Sequence, residues 1–128
     1  MFRIFTLPAV AAVTLAFAPV AAQAHPKLVS STPAANAVVA ASSRVELRFS
    51  EPLIAKLSGA EIVMTRMPGM ATMKPMAVSG LAAQVGPDGK TLVVTSMTPL
   101  GAGTYKLSWH VVSADTHRIQ GAFEFTVR

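Results

Sequence analysis

Residues 105–111 read YKLSWHV, and every second position is a large apolar side chain: Tyr105, Leu107, Trp109 and Val111. A strand sends successive side chains to opposite faces, so this spacing predicts a strand with one buried face and with His110 turned away from the core. Working outward, the same alternation runs through RVELRFS (Val45, Leu47, Phe49) and through the end of the chain (Phe123, Phe125, Val127). AEIVMT, residues 60–65, and KTLVVTS, residues 90–96, are further β-rich runs. Thr32-Pro33, Gly86-Pro87-Asp88-Gly89, Thr98-Pro99 and Gly101-Ala102-Gly103 supply turn chemistry between them. No segment carries a long amphipathic helical period. At least six short strands therefore predict an all-β domain, a small Greek-key β-barrel or sandwich of immunoglobulin-like type.

The first 24 residues read as a secretory signal, with Arg3 as the positive start, an apolar run from Ala9 to Val20, and Ala22-Gln23-Ala24 as the cleavage site. Cleavage there leaves residues 25–128 as one domain whose first residue is His25. No second apolar run approaches the ~18 residues needed to span a bilayer, so a soluble product outside the cytoplasm is expected. Without Arg3 the mature chain has ten basic and six acidic side chains, a modest +4 with histidines neutral. The basic residues are scattered singly, without the dense patch and interleaved aromatics of a nucleic-acid surface, so no nucleic-acid partner is expected. The chain has no cysteine, so its stability has to come from packing.

One stretch is not explained by packing. VMTRMPGMATMKPM, residues 63–76, places a methionine at every third position: Met64, Met67, Met70, Met73 and Met76. Pro68, Gly69 and Pro75 interrupt a helix, and a step of three sends successive side chains to opposite faces of a strand. The stretch is expected to be a loop that begins where AEIVMT runs out. Thioethers are ligands for soft ions such as Cu(I), and outside the cytoplasm they do not couple to disulfides as thiols do. Core filling or an adaptable contact surface are the other uses of such residues.

A second set of donors is harder. A free α-amine and the Nδ1 of His25 can grip one ion together, and Pro26 removes the next backbone nitrogen as a competitor. In SADTHRIQG, Asp115 and His117 are two residues apart, so on an extended segment both project to one side. Alone, such a pair is more often a surface pair or a structural hydrogen bond. Together with the His25 donors it gives three nitrogens and an oxygen, a set that suits Cu(II). Glu51, in FSEPL, is either a solvated acid at a strand end or an acid that supports this site, and Trp109 is core.

HPKLVSSTPA, FSEPL, MTRMPGM, GTYKLSWHVVSADTH and QGAFEFTV together resemble the CopC-type periplasmic copper-resistance proteins across essentially the whole chain after residue 24. The resemblance implies a Greek-key barrel with a Cu(II) site at one end and a methionine-rich Cu(I) site at the other. It puts His25, Asp115 and His117 on the Cu(II) ligands and Glu51 on an acid near them. Met64, Met67 and Met70 fall on the Cu(I) loop, and Met76 on its last methionine after a one-residue shift. Members of the family can carry a histidine in that loop, where this chain has Ala71-Thr72-Met73-Lys74. A purely thioether loop favours Cu(I) more strongly still, and which of the five methionines bind stays open.

The expected function is a periplasmic copper carrier or buffer serving copper resistance and homeostasis. It would pass copper to handling proteins of the periplasm or inner membrane and perform no covalent chemistry. A histidine-brace copper oxidase is the enzymatic alternative, but Asp115 would occupy a position that such chemistry needs open. An immunoglobulin-like assembly module without metal function leaves the methionine spacing unexplained.

Overall fold

The alternating stretch around Tyr105 lies inside a ten-residue strand, and the sheets are assembled on it. The structure, a computed structural model, describes residues 26–70 and 72–128. In chain order the strands are β1 (Leu28–Thr32), β2 (Val38–Val39), β3 (Arg44–Phe49), β4 (Gly59–Arg66), β5 (Met76–Ala77), β6 (Ala82–Val85), β7 (Thr91–Thr95), β8 (Gly103–Val112) and β9 (Arg118–Val127). A 3-10 turn over Ala55–Leu57 is the one helical element among the described residues, and no helix there is long and apolar enough to cross a membrane. One sheet has the order β1-β3-β7-β6 and the other β2-β9-β8-β4-β5. All pairings are antiparallel except β2 with β9. Strands distant in sequence, β3 with β7 and β4 with β8, are neighbours, as Greek-key connections require.

The alternation predicted from sequence is the core. Val45, Leu47 and Phe49 of β3 face Tyr105, Leu107, Trp109 and Val111 of β8, and Phe125 and Val127 join them, all buried. Full burial of each such side chain contributes about 1.5–3 kcal/mol. Phe49 meets Trp109 edge-on across the two sheets, with ring centroids 5.1 Å apart. Tyr105 stacks on its cross-strand partner Phe125 at 5.6 Å. Gly121 lies opposite Trp109, and a Cβ there would stand 2.5 Å from the indole, so only glycine lets the ring lie over β9. His110 is half-buried on the other face, against Gly59.

The methionine stretch departs from the expected loop at its far end, at Met76, whereas Met64 stands in a strand as the β-rich run AEIVMT predicts. Met64 lies within β4 and packs against the core, while Met76 lies in β5 and is its direct cross-strand partner. Pro68 and Gly69, the latter at φ 79°, reverse the chain, and the Met70 amide closes the turn on the Met67 carbonyl at 3.1 Å. The return is what allows β5 to pair with β4. Only Met67, Met70 and Met73 belong to the connection itself.

Candidate metal centres

The two groups of candidate donors occupy opposite ends of β8. Met64 pairs with Tyr105, and Val112 pairs with Arg118, the residue after His117. Seven steps of strand separate those positions, about 24 Å at the usual rise.

At the far end the β8–β9 hairpin turns through Ser113-Ala114-Asp115-Thr116-His117. The Ser113 amide donates to the His117 carbonyl at 2.9 Å, the Thr116 amide to the Ser113 carbonyl at 2.8 Å, and Thr116 takes a left-handed φ of 72°. A non-glycine residue in that region is strained, which is a reason to look for function there. Asp115 Oδ2 lies 2.9 Å from His117 Nδ1, the His117 amide donates to Oδ1 at 3.4 Å, and the Ser113 hydroxyl donates to the same oxygen. The Ser113 hydroxyl first, and the His117 ring second, hold the Asp115 carboxyl at about 2, below its ordinary 3.8. An ionised carboxylate can only accept, so Nδ1 carries the proton and Nε2 the lone pair of the neutral ring. Three of the carboxylate's roughly four acceptor positions are engaged in these bonds.

Ser113 was not singled out by sequence reasoning, although a signal for it exists. It continues the inward alternation Tyr105, Leu107, Trp109, Val111 by one step, putting a hydroxyl where a core residue would stand, and it is 1% exposed. Nor does periodicity reveal how the other segments are held. Lys27 and Ser50 exchange hydrogen bonds, the Lys27 amide to Ser50 Oγ and the Ser50 amide to the Lys27 carbonyl, both at 2.9 Å. Two residues on, the Ala114 amide donates to the Pro52 carbonyl at 3.0 Å and Leu53 bridges Ser113. The FSEPL segment is thus clamped between the Pro26-Lys27 start and the Asp115–His117 turn, with Pro26 fully buried. Glu51 sits in that clamp, half-buried. His25 lies outside the described residues. Among the described residues no third His, Cys, Asp or Glu joins Asp115 and His117 in a metal-ligating group.

At the near end the donors are exposed: Met67 37%, Met70 49% and Met76 57%, with Met73 partly covered. A cavity of about 220 Å³ opens beside them, lined by Met64, Met76, Leu100, Tyr105 and a methionine outside the periodic stretch, Met97. Sequence reasoning missed Met97 because it stands 21 residues after Met76, and only the β6–β7 hairpin returns it to the others. The Tyr105 hydroxyl donates to the Gly101 carbonyl at 2.7 Å, and burial pushes its pKa up, so the phenol does not compete as a ligand.

The sequence matches the CopC domain over residues 28–128. A copper resistance protein C from Pseudomonas syringae pv. tomato is 55% identical over 107 residues, which are 84% of this chain and 83% of the relative. A copper resistance protein C from Escherichia coli is 48% identical over 107 residues, 84% of each chain. The crystal structure of PcoC, a methionine-rich copper resistance protein from Escherichia coli, matches with a TM-score of 0.74 at 45% identity, covering 82% of this chain and 100% of that one. The domain match over residues 28–128, the identities with these relatives and the shared two-sheet fold place the chain in the CopC family.

Proposed function

We propose that this chain is a periplasmic copper-binding protein, a carrier or buffer in copper resistance, exported by the leader of residues 1–24 and working as the domain 25–128. The observation that carries the reading is the separation of two chemically opposed donor sets to the two ends of one sandwich. Asp115 and His117 are a charged oxygen and an imidazole nitrogen held together by Ser113, suited to Cu(II). Pro26, which follows His25 in the sequence, is buried and is tied through Lys27, Ser50 and Pro52 to that turn. The His25 amine and imidazole would complete the set, with Glu51 as a nearby acid. Met64, Met67, Met70, Met73 and Met76 offer neutral thioethers suited to Cu(I). The names of the relatives, copper resistance protein C, support copper as the cargo. The proposed role is binding and transfer of the ion to partner proteins.

The test is separate titration with Cu(I) and Cu(II) of the processed chain and of a form carrying one extra residue before His25. Each ion should bind the processed chain at its own site. The extended form should keep Cu(I) and bind Cu(II) far more weakly, because its His25 nitrogen is an amide. Full Cu(II) affinity in the extended form would remove the amine from the site, and failure of either ion to bind would remove the corresponding centre.

A further inference from the structure

We propose that Met97 is a sixth thioether donor of the soft-metal centre, contributed by the opposite sheet and closing over the ion with Met64 and Met76. The assignment rests on the soft-metal reading of the methionine stretch and extends it to a residue outside that stretch.

Met64 and Met76 are direct cross-strand partners at the edge of the five-stranded sheet. Met97 follows β7, which belongs to the four-stranded sheet, and all three line the same cavity of about 220 Å³. The turn bearing Met97 is fixed on both sides: the Ser96 amide donates to the Ser43 carbonyl at 2.9 Å, the Leu100 amide to the Ser42 carbonyl at 3.1 Å, and the Ser96 hydroxyl to the Thr98 carbonyl at 2.5 Å. Leu100 anchors the turn in the core. Met97 itself is 86% exposed, and its Sδ lies over Gly80, 3.0 Å from where a Cβ would stand. Gly80 has a φ of 72°, so glycine serves both the backbone and the sulfur.

A single exposed apolar residue on a turn needs no explanation by itself. Here the chemistry of the cavity supplies one. The hydroxyls in its lining, from Ser79, Ser96, Thr98 and Tyr105, are hard oxygen donors, and its soft donors are the three sulfurs. A flexible, unbranched side chain on a rigid turn can swing over an ion held by Met64 and Met76 without moving the backbone.

The test uses the isolated chain with isotopically labelled methionine methyl groups, assigned by single Met→Leu variants and titrated with Ag(I) as a redox-inert stand-in for Cu(I). The Met97 methyl signal should shift together with those of Met64 and Met76 and saturate at the same metal ratio. In competition with a coloured Cu(I) chelator, Met97→Leu should weaken Cu(I) binding about tenfold or more, since even groups that only support a ligand are worth about 10–100-fold. Cu(II) affinity should not change. Shifts at Met64 and Met76 with a stationary Met97 signal, and full Cu(I) affinity in Met97→Leu, would return Met97 to an ordinary exposed turn residue while leaving the soft centre intact. If no methionine signal moves, the soft centre itself fails and this assignment with it.

Discussion

The Asp115–His117 turn and the methionine end are joined by the same strand, yet they are built on different terms. At the first, the Asp115 carboxylate is held by the hydroxyl of Ser113, a residue 1% exposed, and pairs with the His117 ring, and the neighbouring segment is clamped by hydrogen bonds on both sides. At the second, sulfurs stand with roughly a third to more than half of their residues' surface in water. Charged donors lose solvation when they are oriented toward one ion, so the fold has to hold them. Thioethers are neutral and weakly hydrated, so they can wait in solvent and gather around an ion when it arrives. Function by orientation and function by abundance give different sensitivities to mutation.

The largest expected contrast comes from changing Met64, Met67, Met70, Met73 and Met76 together to leucine. Leucine keeps volume and apolar character but has no donor atom, so Cu(I) binding should disappear while Cu(II) binding persists. The stability change should stay under ~1.5 kcal/mol per site, and only Met64 packs against the core. Chelator competition for each ion and urea unfolding measure the three quantities. Retained Cu(I) affinity would make the stretch a packing feature, and parallel loss of Cu(II) would make the two ends one site.

A smaller and opposite effect is expected from Ser113→Ala. The hydroxyl holds Asp115 Oδ1 but would not itself touch the ion, and partners of that kind are worth about 10–100-fold in metal affinity. Cu(II) affinity should fall by that factor with Cu(I) unchanged. Asp115 and His117 are partly exposed, so water can replace the lost bond and the fold should survive. Equal Cu(II) affinity in Ser113→Ala would mean that the turn is held without the hydroxyl.

The contrast also explains what could be read from the sequence. Strands β3, β8 and the end of β9 were legible because burial of one face leaves an apolar residue at every second position. β1 was not, since LVSST exposes Val29 at 61% and carries mostly hydroxyls. β5 has two residues and no room for a pattern. The soft donors were legible as a repeat, but their division between β4, β5 and the connection depends on a turn that pairs Met64 with Met76. Asp115 and His117 were legible as residue types. The clamp from Lys27 through Ser50 and Pro52 to Ala114 was not, because it is made largely by backbone amides and carbonyls, which every residue except proline possesses in full.

The smallest expected effect concerns the metal-free protein in acid. The Asp115 carboxyl is held at about 2 in the fold, chiefly by the Ser113 hydroxyl and then by His117, against an ordinary 3.8. A depressed carboxylate pKa contributes stability that is fully present above the unfolded value and is lost as pH falls through the folded one. The window is therefore about pH 4 to about pH 2. Asp88, lowered by the Thr91 hydroxyl and then by the Lys90 amide, adds to the same window from a different turn. Asp115→Asn should remove only the first share. Urea unfolding at a series of pH values should give a wild-type advantage that is level above about pH 5 and shrinks toward pH 2, with a residual acid dependence from Asp88 in both proteins. The advantage should be modest, because Asp115 is on the surface and water screens the ionic part of its bonds. A difference between the two proteins that does not change with pH would show that the carboxylate is not held by Ser113 and His117. The hard end of the molecule would then be as loosely built as the soft one.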